Sequence, residues 1–123
     1  MIYYNPYHDT TVTSKGVCEA MEIKVSEKGG YRILALVGEF NLYNVRELKE
    51  TLFAQITSAE TNIIINMKQV SYMDSNAIGV LYAAQKKLLD MNKELYLSQM
   101  SIELADVMRI VGLNFSVIDT DDL

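Results

Sequence analysis

The pattern of apolar and polar residues between positions 62 and 80 predicts a short strand followed by a helix. Ile63, Ile64 and Ile65 are consecutive β-branched residues without polar alternation, which is typical of a strand buried on both faces of a parallel sheet. Residues 68–72 are mostly polar and predict a short connection. Beyond them, apolar residues recur at the i, i+3, i+4 and i+7 spacing of a helix with one apolar face.

A polar triplet, Asp74, Ser75 and Asn76, stands directly before this predicted helix. Asp74 or Ser75 is expected to be the N-cap, whose side-chain oxygen accepts a hydrogen bond from a backbone N–H of the first turn. Open parallel sheets place binding sites beyond the carboxyl ends of their strands, and a helix N-terminus there favours anionic groups. The spacing alone is satisfied both by a simple cap and by a binding site.

Upstream, the pattern predicts a hairpin and a first helix. Residues 21–25 alternate apolar and charged side chains, as an edge strand with one face in water does. Glycines at 29–30 predict a tight turn, and residues 31–37 return as a more buried, antiparallel strand. The next helix is expected to begin at Asn44, whose side chain would form a capping box with Glu47.

Downstream, residues 94–98 predict a strand, Ser101 is expected to cap a third helix that Gly112 ends, and residues 115–118 predict a last edge strand. Strands that alternate with helices of this length imply right-handed βαβ crossovers. The predicted fold class is therefore α/β. We expect a mixed sheet of four to five strands that opens with an antiparallel hairpin, continues as βα units and carries its helices packed on the sheet.

The first 18 residues differ in composition from the rest of the chain, with three tyrosines around its only proline. We interpret residues 1–18 as an N-terminal extension and residues 19–123 as one domain. The extension is expected either to dock its tyrosines on the domain or on a second copy, which leaves a homodimer open, or to have no set role.

Composition and charge argue against several classes of partner and predict the cellular compartment. The net charge is −5, so no excess of Lys and Arg is available for a nucleic-acid backbone. Cys18 is the only cysteine, which excludes an internal disulfide and fits a reducing compartment. No apolar run approaches the roughly 18 residues of a membrane span, and the start lacks a signal-peptide pattern. These features predict a cytoplasmic protein without membrane insertion.

Candidate catalytic chemistry is also missing from the sequence. His8 is the only histidine and lies in the N-terminal extension, so we expect no Ser-His-Asp set, and a metal site with several histidines cannot form. The glycine-rich phosphate-binding and dinucleotide-binding motifs are absent. Asp74 as the acceptor of a phospho-receiver domain would need a second acidic cluster after the first strand to hold Mg²⁺. Residues 21–30 supply only Glu22 and Glu27, which are not adjacent. We therefore expect neither an enzyme nor a cofactor.

Three segments resemble the STAS family, the domain of bacterial anti-sigma factor antagonists. Residues 70–88, VSYMDSNAIGVLYAAQKKL, are similar to the family's Met-Asp-Ser-Ser-Gly-Leu-Gly-Val segment. Residues 37–41, VGEFN, are similar to its Gly-Glu-Leu-Asp segment. Residues 101–116, SIELADVMRIVGLNFS, are similar to its Ser-Pro-x-Val…Ser-Gly-Leu helix. The resemblance covers roughly residues 20–118. Members commonly carry a further helix, which is not found in this sequence.

The resemblance implies a signalling switch in transcription regulation. In STAS antagonists, a serine at this helix start is phosphorylated by the partner, an anti-sigma factor that is also an ATP-binding serine kinase, and the unmodified form binds that partner. Here the position of that second serine is Asn76. Either Asn76 keeps the site in its neutral, binding-competent state, or Ser75 becomes the phosphorylation site, as a threonine does in some lipid-transport relatives. We favour the first because Ser75 can be committed to capping.

The predicted function is a regulatory protein-binding module, an anti-sigma factor antagonist that binds its partner kinase at the strand-to-helix junction. The alternative is a non-catalytic STAS subunit of a lipid transporter or of another signalling complex. A third class, an enzyme or ligand sensor, is disfavoured because the sequence assembles no catalytic group. Asn41 also replaces an aspartate of the family. The residues expected to contact the partner are Asn41, Tyr43, Met73, Asp74, Ser75, Asn76 and Ile78.

Overall fold

The computed structural model describes residues 10–13, through their backbone, and residues 21–112 and 115–118. Within these residues the chain forms six strands and three helices. Their bounds are β1 Thr10–Thr13, β2 Met21–Lys28, β3 Tyr31–Phe40, α1 Val45–Ser58, β4 Ile63–Met73, α2 Ser75–Asp90, β5 Leu95–Ser98, α3 Ile102–Ile110 and β6 Ser116–Val117. None of the described helices is long and apolar enough to cross a lipid bilayer.

The six strands form one mixed sheet in sequence order, from β1 to β6. β1, β2 and β3 pair antiparallel, whereas β3 to β6 pair parallel. The predicted α/β fold with its initial hairpin is confirmed, and the five predicted strands are β2 to β6. The edge position predicted for β2 is wrong, because Thr10–Thr13, inside the predicted extension, pairs along its outer side. The remaining residues of 1–18 lie outside the described part of the chain.

β4 is longer than the sequence suggested. The polar connection predicted at residues 68–72 is wrong, because β4 continues as a strand to Met73 and pairs there with the end of β3. The register shifts by one residue where Gly38 pairs with Val70 and Glu39 with Tyr72. Gly38 has φ 103°, which a residue with a side chain rarely adopts, so the glycine permits this bulge. The bulged ends of β3 and β4 reach the start of α2.

One hydrophobic core lies between the sheet and the three helices. Alternate residues of β2 and β3, such as Ile23 and Leu34, point into it together with Ile65 of β4. Leu52 of α1 and Leu81 of α2 fill it from the helical side. All three helices contribute to this core, as right-handed crossovers along a sheet in sequence order require. The carboxyl ends of β3 and β4 therefore meet the N-termini of α1 and α2 at one edge.

Arg32 of β3 joins the sheet to the end of α1. Its Nη1 donates to Gln55 Oε1 at 3.1 Å and to Ser58 Oγ at 2.9 Å, and its Nη2 donates to Glu27 Oε2 at 2.9 Å. Gln55 is buried, so its side-chain oxygen depends on this donor. We expect Arg32→Met to lower the free energy of unfolding by about 1–2 kcal/mol, because a buried acceptor loses its partner. Urea denaturation of the purified variant measures the change.

Arg109→Met is the matched control for that substitution. Arg109 pairs with Asp106 at 2.7 Å, one helical turn away, and both side chains are exposed to solvent. Such a pair contributes at most about 0.5 kcal/mol. Equal losses in the two variants would contradict the structural role assigned to Arg32.

Candidate functional site

The candidate site lies where β4 passes into α2. β4 ends at Met73 and α2 begins at Ser75, so Asp74 is the only residue between them. The Asp74 N–H donates to Phe40 O at 3.0 Å, which holds this junction beside the end of β3 and the loop that leads to α1. The loop at residues 41–44 and the first turn of α2 consequently form one surface at the carboxyl edge of the parallel strands.

Both carboxylate oxygens of Asp74 accept backbone hydrogen bonds. Oδ1 accepts from the Ala77 N–H at 3.1 Å and so caps α2, while Oδ2 accepts from the Leu42 N–H at 2.9 Å across the junction. The Asn76 amide donates to the same Oδ2 at 3.4 Å. Of the two caps predicted from the sequence, Asp74 is the one observed. One carboxylate therefore fixes both the helix start and the neighbouring loop.

The loop before α1 is closed by its own asparagines. Asn41 Oδ1 accepts from the Tyr43 N–H and Asn44 Oδ1 accepts from the Asn41 N–H, both at 2.9 Å, while Asn44 Nδ2 donates to Glu39 O at 2.8 Å. The predicted capping box is wrong, because the Asn44 side chain faces back into the loop and makes no cap hydrogen bond, and the Asn44 N–H donates to Asn41 O instead of Glu47. An amide at Asn41 supplies the oxygen that this turn needs without a charge.

Three large apolar or aromatic side chains are exposed on the two segments that adjoin the start of α2, the 41–44 loop and the end of β4. Leu42 is 62%, Tyr43 90% and Tyr72 54% exposed. Ser75 and Asn76 are exposed next to them, and neither carries a charge. We call Leu42, Tyr43, Tyr72, Ser75 and Asn76 the α2-start surface. Sequence reasoning missed Leu42 and Tyr72; the signal for Leu42 was an apolar residue in an otherwise polar loop.

Two residues expected to contact a partner lie beneath this surface instead. Met73 and Ile78 are buried and belong to the hydrophobic core. Met73 is the last residue of β4 and faces the core beyond the bulge, and Ile78 lies on the core stripe of α2. Asp74 is half-buried and Asn41 is committed to its loop. Tyr43, Ser75 and Asn76 are thus the predicted residues whose side chains are available.

The chemistry of this surface is that of binding. It combines phenol, aliphatic, hydroxyl and amide groups, and among the described residues the Ser75 hydroxyl has no hydrogen bond to a base that could activate it. Exposed tyrosines and a leucine around small polar groups are typical of protein–protein contacts. The five exposed side chains of the α2-start surface carry no charge and lie beside the half-buried carboxylate of Asp74.

Comparison with known proteins gives consistent results. The model of the STAS domain family matches residues 22–122. An anti-sigma-B factor antagonist of Staphylococcus aureus (strain NCTC 8325 / PS 47) is 30% identical over 93 residues, which cover 76% of this chain and 86% of the relative. The anti-sigma factor antagonist SpoIIAA in its unphosphorylated form superposes with a TM-score of 0.64 at 20% identity, covering 79% of this chain and 87% of SpoIIAA. An anti-sigma factor antagonist from Mycobacterium paratuberculosis gives a TM-score of 0.75 at 17% identity, covering 84% and 90%.

Proposed function

Because the chain belongs to the STAS domain family, we propose that it acts as an anti-sigma factor antagonist. In this proposal the α2-start surface binds an anti-sigma factor that is also a serine kinase and that carries the ATP. The observation that supports the proposal most directly is the exposed, uncharged group of side chains around Asn76 at the start of α2. A protein partner, rather than a small molecule, suits an exposed group of tyrosines and a leucine.

The hydrogen bonds behind the surface favour tight binding. Asp74 joins Leu42 to α2, and Asn41 holds the backbone of Tyr43, so the loop that presents these side chains is ordered before a partner arrives. Ordering a loop during association costs affinity, and a preformed loop avoids that cost. Tyr43 and Leu42 are therefore proposed as the principal apolar contacts.

Asn76 is proposed to replace the regulatory phosphoserine of the family. A phosphate would add about −1.5 to −2 charges at pH 7 to a surface that is otherwise neutral. An amide has no hydroxyl to receive phosphate, so the surface stays in its uncharged form. The chain would then remain competent to bind under conditions that switch off a phosphorylatable antagonist.

The structure changes the argument about Ser75. The expectation that its side chain is committed to capping is wrong, because Asp74 provides the cap and Ser75 is exposed. A free hydroxyl consequently stands one position before Asn76. The switch is therefore lost only if the kinase phosphorylates the position of Asn76 and not that of Ser75, and we propose that it does.

We expect the wild-type chain to bind its cognate anti-sigma factor and to keep its mass after incubation with that kinase and ATP, whereas Asn76→Ser gains one phosphate. Isothermal titration calorimetry measures binding, and intact-mass spectrometry measures the modification. Ser75→Ala combined with Asn76→Ser is the control, which should gain the same phosphate. A phosphate on Ser75 of the wild type would overturn the loss of the switch. Absence of binding would overturn the antagonist function itself.

A further inference from the structure

Gly79 lies in the second turn of α2, where the fold does not require a glycine. Its backbone is helical, whereas Gly30 and Gly112 have φ 83° and 80°, which residues with a side chain rarely adopt. Gly79 is exposed, and a Cβ added to it would meet no atom of the described residues within 4 Å beyond its chain neighbours and its own helix backbone. Glycine lowers the stability of a helix interior relative to alanine, because it loses more backbone freedom on folding. Neither the backbone conformation nor the packing of the described residues therefore accounts for Gly79.

Gly79 extends the α2-start surface by one helical turn. Residues three and four positions apart are neighbours on a helix, so Gly79 lies next to Asn76 and Ser75 on one side. On the other side its neighbours are Tyr82, which is 41% exposed, and the half-buried Ala83. The face of α2 between Asn76 and Tyr82 consequently exposes backbone without a side chain.

We propose that the anti-sigma factor packs one large apolar side chain directly against the backbone of α2 at Gly79. Glycine lets another molecule approach a backbone closely, because no Cβ stands in the way. Such a contact explains a helix-interior glycine that the fold itself does not need. This inference rests on the proposed function and deepens it, because it assigns a contact of the same partner to the second turn of α2.

The surroundings of Gly79 favour the anti-sigma factor over other occupants. A protein bound to Ser75 and Asn76 already reaches Gly79, because the three residues lie on one face of α2. None of the four neighbours of Gly79 on the helix surface is charged, which favours an apolar side chain in the contact. A second copy of the chain would approach with the same net charge of −5, and like charges repel.

Gly79→Ala is expected to change stability and binding in opposite directions. The thermal midpoint should rise by about 2–4 °C, because alanine has less backbone freedom to lose and its methyl group has open space. The affinity for the anti-sigma factor should fall about tenfold, because the methyl group displaces the side chain packed against the helix. Gly79→Leu should lower the affinity further, by roughly 100-fold. Thermal denaturation followed by circular dichroism measures the midpoint, and titration calorimetry measures the affinity.

Ala54→Leu is the matched control for Gly79→Leu. Ala54 is exposed near the carboxyl end of α1, whereas the α2-start surface adjoins the N-terminus of that helix. The substitution places the same side chain on an exposed helix face away from the proposed contact, so it should leave the affinity unchanged. Equal losses in Ala54→Leu and Gly79→Leu would overturn the proposal. Wild-type affinity in both Gly79 variants would also overturn it, while the antagonist function stands.

Two other outcomes decide against the proposal. A wild-type chain that sediments as a dimer and becomes monomeric with Gly79→Leu would assign the exposed backbone of α2 to a second copy. Failure of the wild-type chain to bind any anti-sigma factor would remove the proposed function, and with it the side chain that this partner supplies.

Discussion

Asn76→Asp is expected to weaken binding to the anti-sigma factor by at least about 100-fold, which corresponds to roughly 3 kcal/mol. Asn76 is exposed in the first turn of α2, next to Ser75 in the chain. A carboxylate buried there against a partner would lose its hydration without gaining a designated cation, and such a loss is costly. Titration calorimetry of wild type and variant against the same anti-sigma factor measures the difference.

The fold should tolerate this substitution, which separates binding from stability. A negative charge in the first turn of α2 is favoured by the helix dipole, while repulsion from Asp74 and loss of the 3.4 Å hydrogen bond oppose it. The thermal midpoint should therefore stay close to that of the wild type. Asn92→Asp makes the same chemical change beyond the opposite end of α2, at an exposed residue with φ 60°. If Asn92→Asp weakens binding equally, net charge and not the α2-start surface is responsible.

The elements that the sequence predicted well are those in which the local pattern and the tertiary environment agree. The isoleucines of β4 are buried on both faces, and the alternating residues of β2 have one face in the core. β1 was missed because Thr10–Thr13 has no apolar alternation. The second half of β4 was missed because a strand with one unpaired side tolerates polar residues such as Lys68 and Gln69, which read as a loop.

The candidate site was located correctly along the chain but not in its contacts. Asp74 to Asn76 could be placed at a strand-to-helix junction because the cap and the apolar spacing are local signals. The bond from Leu42 to Asp74 joins residues 32 positions apart, which no local pattern encodes. At Asn44 a local signal was misread as a helix cap. An asparagine side chain can form the hydrogen bonds of a turn as readily as those of a cap, and here it forms those of the turn.

Asp74→Ala is expected to lower the free energy of unfolding by roughly 2–4 kcal/mol, because two distinct hydrogen bonds end on this one carboxylate. The Ala77 N–H would lose its cap and the Leu42 N–H its anchor. Affinity for the anti-sigma factor should fall as well, since the loop that carries Leu42 and Tyr43 would have to be ordered during binding. Urea denaturation and calorimetry on the same preparation measure both effects.

Ser101→Ala isolates the contribution of a cap without an anchor. Among the described residues, Ser101 Oγ accepts one hydrogen bond, from the Leu104 N–H at 3.1 Å, so its loss should cost about 1 kcal/mol. The loss of stability for Asp74→Asn should lie between those for Asp74→Ala and Ser101→Ala, because an amide has one acceptor oxygen and turns a donor towards either Ala77 or Leu42. Asp74→Ala and Ser101→Ala with equal losses would show that the Leu42 bond contributes nothing. A larger loss of stability for Asp74→Ala than for Ser101→Ala, with Asp74→Asn between them, would instead assign the additional loss to the Leu42–Asp74 hydrogen bond. That bond joins the loop to α2 and so supports the α2-start surface.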